Sequence, residues 1–172
     1  MMKNQPKSLW ALIGVLTVAG VDAAYHYPLL PEKMASHFGP SGQADGWMPK
    51  DAFMVMNVSL MLFTALLLGS IRTLLRYIPD DAINLPYKEF WLAPERRDGT
   101  LRVVSSYFLW FAVATTALLA AILHGVYRAN LSPLPILGSL TWVILGAYLV
   151  YTLCWTVSLT RRFKRDKTTD AR

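Results

Sequence analysis

The stretch Val103–Tyr127, VVSSYFLWFAVATTALLAAILHGVY, contains no Asp, Glu, Lys or Arg. As an α-helix it is ~37 Å long, enough to cross a hydrocarbon core of about 30 Å. Three more apolar stretches accompany it, at about 9–27, 52–71 and 134–160. Inside a bilayer an isolated segment must satisfy its own backbone hydrogen bonds, and for single apolar runs that means helix. The expected fold is all-α and integral to a membrane. Four transmembrane helices form one domain over 1–172, with a short structured extracytoplasmic loop at 28–51 and a cytoplasmic loop at 72–102.

Composition agrees. The chain has 172 residues, 54% hydrophobic and 16% charged, whereas soluble domains carry about a quarter charged residues. After four spans, too little chain remains for a separate soluble core. The net charge of +6 does not point to nucleic acid, because the cations sit at span ends rather than along a basic helix. The single cysteine, Cys154, lies inside the fourth stretch and has no partner for a disulfide or a thiolate metal site. Val21-Asp22-Ala23 is a passable signal-peptidase site, but Asp22 beside it favours a retained helix.

Lys and Arg set the expected orientation. Lys3, Lys7, Arg72, Arg76, Lys88, Arg96, Arg97, Arg102, Arg161, Arg162, Lys164, Arg165, Lys167 and Arg172 fall on one side, against Lys33, Lys50 and Arg128 on the other. The positive-inside bias then places both termini and the 72–102 loop in the cytoplasm of a bacterial cell, with the chain in its inner membrane. Local signals refine the spans. Asp51 after Pro49 suits an N-cap of the second, and Pro133 and Pro135 suit the first turn of the fourth. Pro94-Glu95-Arg96-Arg97 reads as the first turn of a cytoplasmic extension of the third. Ala112, Thr116 and Ala120, and likewise Ala117, Ala121 and Gly125, recur every four residues and let helices approach closely. Trp10, Trp110, Trp155 and Tyr127 suit an interfacial belt, while Trp142 and Tyr148 are deep enough to pack between helices.

The loops carry the distinctive residues. In the first, Gly39-Pro40-Ser41-Gly42 signals a turn between two extended segments, a small hairpin that needs the helices to support it. Pro28, Pro31, His37, Phe38, Gly42, Asp45, Trp47 and Lys50 are its candidate partner-binding residues. Asp22 lies one turn before His26 within the first span, where an acidic group is costly and faces water or the bundle interior. His26, His37 and His124 all fall near the outer face, so no cofactor is required but a divalent metal has ligands available there. In the second loop, Trp91, Pro94, Glu95, Arg96 and Arg97 suit a salt-bridged segment at the membrane surface, with Phe90, Trp91 and Leu92 dipping among lipid headgroups.

Two segments together resemble a known family. They are Tyr27-Pro28-Leu29-Leu30-Pro31 through His37-Phe38, Gly39, Asp45 and Lys50, and Asn84-Leu85-Pro86-Tyr87-Lys88-Glu89-Phe90-Trp91-Leu92-Ala93-Pro94-Glu95-Arg96-Arg97. The pattern is similar to domain of unknown function 1648, with Phe90 where Tyr is more usual. The resemblance implies a small bacterial membrane protein and carries no catalytic residues. The family includes a longer toxin-immunity and signalling protein, so the analogy is loosely immunity- or signalling-like. The sequence itself favours a non-enzymatic protein that presents its outer loop to a partner, beyond its contacts with lipids. That partner would be another membrane protein or a second copy. An accessory subunit of a respiratory or oxygenase assembly, and a small oligomeric transporter or channel using Asp22, are the alternatives.

Overall fold

The computed structural model describes residues 7–164, apart from the side chain of Arg72. Lys3, Arg165, Lys167 and Arg172, used above for orientation, lie outside the described residues. Helix α1 (Lys7–His26) leads through a short 3-10 turn to strands β1 (Lys33–Phe38) and β2 (Ala44–Pro49), and α2 (Lys50–Gly69) follows directly. Two single turns, α3 (Ile71–Leu74) and α4 (Lys88–Trp91), lie in the connection to α5 (Pro94–Asn130), and α6 (Ser139–Arg162) completes the order. Helices α1, α2, α5 and α6 are each long and apolar enough to cross a membrane.

Helix α5 is the axis on which α1, α2 and α6 all pack. Its 37 residues span ~56 Å, well beyond a bilayer core of about 30 Å. Pro94 occupies its first turn, as the sequence suggests, and its far end runs past Tyr127 to Asn130. The small-residue seam works along one row and, in the other, at Gly125, where an added Cβ would lie 3.0 Å from Thr141 Oγ1 of α6. Ala112 and Thr116 are fully buried, and Ala112 meets Leu12 of α1 and Ala65 of α2, whereas Ala117 is exposed. Elsewhere against α6 the contact is aromatic. Trp155 packs on Phe111 at 4.7 Å between ring centroids and donates to the Tyr107 carbonyl at 3.0 Å. The Tyr148 hydroxyl meets Thr115 Oγ1 at 2.7 Å. Trp155 is therefore an interhelical residue rather than a belt residue, and Trp142 is exposed rather than packed between helices.

Two helix starts differ from the sequence expectation. Pro49, not Asp51, is the N-cap of α2, and Asp51 instead accepts a hydrogen bond from the Tyr27 hydroxyl at 2.7 Å. Helix α6 begins at Ser139, not near Leu134. Pro133 and Pro135 disfavour helical backbone at the residues before them. The segment they hold open docks on the hairpin turn, where Ile136 bridges Gln43 and the Leu137 N–H donates to the Gly42 carbonyl at 2.8 Å.

Apolar clusters close both ends of the bundle. Leu30, Met34, Phe53, Leu123, Val126 and Tyr127 gather under the hairpin. At the opposite end, Leu75, Ile83, Leu92, Leu101, Val104 and Phe163 form a second core. Trp91 donates to the Phe163 carbonyl at 2.9 Å and its ring meets the Phe163 ring edge-on. Trp91 and Leu92 thus turn inward onto the protein.

The turn itself depends on one glycine. Gly42 has φ +80, and a Cβ there would lie 2.7 Å from the Leu137 carbonyl oxygen, a backbone atom that cannot swing aside. Gly42→Ala should lower the melting temperature of the detergent-purified protein, from left-handed strain and clash together of about 1–3 kcal/mol. Gly14→Ala, with open space around its Cβ, should leave it unchanged or slightly raised when both are followed by tryptophan fluorescence.

Candidate functional site

The hairpin end of the bundle gathers most of the residues singled out from sequence. Strands β1 and β2 pair antiparallel, with Met34 opposite Met48 and Ala35 opposite Trp47, and the register shifts around His37. Gly46 accommodates that irregularity, since a Cβ on it would lie 2.9 Å from the His37 Cβ. A free two-stranded hairpin is marginal in water, so its attachment decides whether it holds one shape. Asn130, the last residue of α5, makes that attachment. Its Oδ1 accepts from the Ala35 N–H at 2.7 Å, and its Nδ2 donates to the Ala35 carbonyl at 3.0 Å and the Val126 carbonyl at 3.0 Å. The carboxamide thereby pairs with the edge of β1 as a neighbouring strand would. Ala35 and Met34 are fully buried beneath it.

Lys50 braces the other root of the hairpin. Its ammonium lies 2.9 Å from Glu32 Oε1 and 4.8 Å from the Tyr27 ring centre. Its backbone N–H donates to the Glu32 carbonyl at 2.8 Å. Glu32 is open to water, so the ion pair is worth little, and the Lys50 stem serves mainly to fill space.

These anchors divide the candidate partner-binding residues. Phe38 packs against the cluster beneath the hairpin, Gly42 is enclosed by the 131–138 segment, and Lys50 is buried. Pro28, Pro31, His37, Asp45 and Trp47 remain exposed. His37 and Asp45 face each other across the hairpin through His37 Nδ1 and Asp45 Oδ1, both side chains more than half exposed.

A second constellation lies just below. Asp22 and His26 occupy successive turns of α1, and His124 meets them from α5. Asp22 Oδ1 is 2.9 Å from His124 Nδ1 and 3.2 Å from His26 Nδ1. His26 Nδ1 also lies 2.8 Å from the Asp22 main-chain oxygen. The buried His26 ring stacks on Tyr127, with centroids 5.4 Å apart. Asp22 borders a small cavity of about 90 Å³ between α1, α2 and α5. Of the three histidines expected to share one site, the structure brings together His26 and His124, with Asp22 in place of His37.

At the opposite end, the second loop is a salt-bridged cap. Arg97 Nε bonds Asp80 Oδ1 at 2.9 Å, and Arg96 donates to the Phe90 carbonyl at 2.7 Å with its guanidinium 4.0 Å from that ring centre. Pro94 and Glu95 are exposed in the first turn of α5. Thr100 Oγ1 donates to the Trp91 carbonyl at 2.8 Å, which ties the loop to α5.

Residues 12–67 match the family model described as Domain of unknown function (DUF1648). The likeness to this family is confined to that segment. No curated protein and no solved structure matches the chain. The DUF1648 segment holds Asp22, His26, the whole hairpin and Lys50, while His124 and Asn130 come from α5 beyond it. The Asn84–Arg97 segment also lies outside the DUF1648 match.

Asn130 is the residue that the sequence reading missed, and Tyr127, expected in the interfacial belt, is buried under the hairpin instead. An Asn closing an apolar run resembles a helix C-cap, and a Tyr near a span end resembles a belt residue. Asn130→Ala would leave the Ala35 N–H and C=O buried and unpaired, at a cost of roughly 1–3 kcal/mol per group. Hydrogen exchange of the β1 amides should accelerate at least about tenfold in that variant, while amides in the middle of α5 keep their protection. Unchanged exchange at Ala35 would remove Asn130 as the anchor.

Proposed function

We propose that this chain is a non-enzymatic protein of a bacterial inner membrane that presents a braced extracytoplasmic hairpin to a partner. The single observation that carries the reading is the division of the hairpin into two faces. One face packs on the bundle through Met34, Phe38 and Met48, and the backbone edge of β1 is tied at Ala35 to Asn130. The other leaves Trp47 47% exposed beside the exposed His37–Asp45 pair. A pre-ordered surface of this kind binds with little further loss of conformational entropy, and an exposed Trp is a common anchor in interfaces.

Orientation rests on charge. Arg76, Lys88, Arg96, Arg97, Arg102, Arg161 and Arg162 lie at the end away from the hairpin, and such cations favour the cytoplasmic side. The partner would be another membrane protein or a second copy, in keeping with a loosely immunity- or signalling-like role.

A photo-reactive aromatic residue placed at Trp47 should give one discrete crosslinked species in intact cells. The yield should fall several-fold when His37→Ala and Asp45→Ala are added, at equal membrane abundance. Phe38→Ala should behave differently and lower abundance itself, because that ring lies in the packed layer. No adduct from position 47, or an adduct indifferent to His37 and Asp45, would contradict the reading.

A further inference from the structure

We propose that Asp22, His26 and His124 form a binding site for a single divalent transition-metal ion of the zinc class. The site joins α1 to α5 at the hairpin end, and the inference is independent of any partner for the hairpin.

Convergence is the first argument. One ring nitrogen from each histidine and a carboxylate oxygen of Asp22 lie within 4.8 Å of one another. Zinc bonds imidazole nitrogen and carboxylate oxygen at about 2.0–2.2 Å, so neighbouring ligands on a tetrahedron stand about 3.3 Å apart. The observed separations from Asp22 Oδ1 are 2.9 Å to His124 and 3.2 Å to His26. These two edges therefore need a movement of only a few tenths of an ångström to reach coordination spacing.

The side chains are also held in place beforehand. His26 is buried, stacked on Tyr127, and meets the His124 ring edge-on at 5.4 Å between centroids. Asp22 and His26 are spaced i, i+4 on one helix, which puts two ligands on one face. His26 Nδ1 lies 2.8 Å from the Asp22 carbonyl. Coordination through Nε2 keeps that hydrogen bond, which then sets the tautomer. Coordination through Nδ1 exchanges it for the metal bond.

The ligand set selects the class of ion. Two imidazoles and one carboxylate suit zinc and its neighbours, whereas calcium and magnesium favour shells built from oxygen. The side chains of His124 and Asp22 are 47% and 25% exposed, so water can reach a fourth position. Three protein ligands plus water is the arrangement of an open zinc site.

The test uses the full chain, purified in detergent without a polyhistidine tag and stripped with chelator. Zinc alone is titrated by calorimetry, and Co(II) by the visible bands of its tetrahedral complex. His26 supports Tyr127, so the informative variants are Asp22→Asn and His124→Gln, each first matched to wild type in metal-free melting temperature. His37→Gln is the control, because His37 belongs to the hairpin pair. One equivalent bound by wild type and by His37→Gln, with affinity at least about tenfold weaker in the other two, upholds the assignment. No saturable binding by wild type, equal binding by all four proteins, or loss only in His37→Gln overturns it.

Discussion

Helix α5 bears nearly everything else in this molecule. At one end it carries His124, Tyr127 and Asn130, and at the other Thr100, Leu101 and Val104. Because it is much longer than a bilayer core is thick, at least one end must project beyond the hydrocarbon or the helix must tilt. Both apolar clusters outside the small-residue seam lie toward its ends, where water is available. That location matters energetically. Within lipid, helices gain no hydrophobic drive from meeting one another, and interhelical hydrogen bonds contribute about 0.6 kcal/mol on average. A fully buried Leu, Met or Phe at a water-facing end contributes roughly 1.5–3 kcal/mol. The two end clusters are therefore the stronger fastenings, and the seam of Ala112 and Thr116 chiefly sets how closely the helices approach.

The hairpin follows from this arrangement. Its backbone edge needs a partner, and α5 supplies one through the Asn130 carboxamide rather than through a third strand. Its turn needs a partner too, and the extended 131–138 segment supplies that by meeting Gly42 and Gln43. Both supports come from the second half of the chain, although the hairpin lies within the matched family segment at residues 12–67. The compact shape of the matched segment is thus completed by residues outside it.

Much of this was legible in the sequence. Charge-free runs of spanning length reveal the four helices because bilayer thickness imposes their length. Gly39-Pro40-Ser41-Gly42 reveals the hairpin, and Pro94 the start of α5, through local backbone preference. What stayed hidden depends on which surfaces meet. Pro133 and Pro135 are as consistent with a helix start as with an extended segment, and only the docking on Gly42 decides between them. The aromatic seam of Phe111, Tyr148 and Trp155 has the same composition as an interfacial belt. His37 falls near His26 in the chain, but the hairpin pairs it with Asp45, while a helix crossing brings in His124 from 102 residues beyond Asp22.

The account stands on the hairpin and the salt-bridged cap occupying opposite sides of a membrane. On a Cys154→Ser background, Ser41→Cys and Asn84→Cys place single thiols at the two exposed ends. An impermeant maleimide applied to intact cells should label Ser41→Cys and reach Asn84→Cys only after the membrane is opened. Labelling of both positions from the same side would contradict the account.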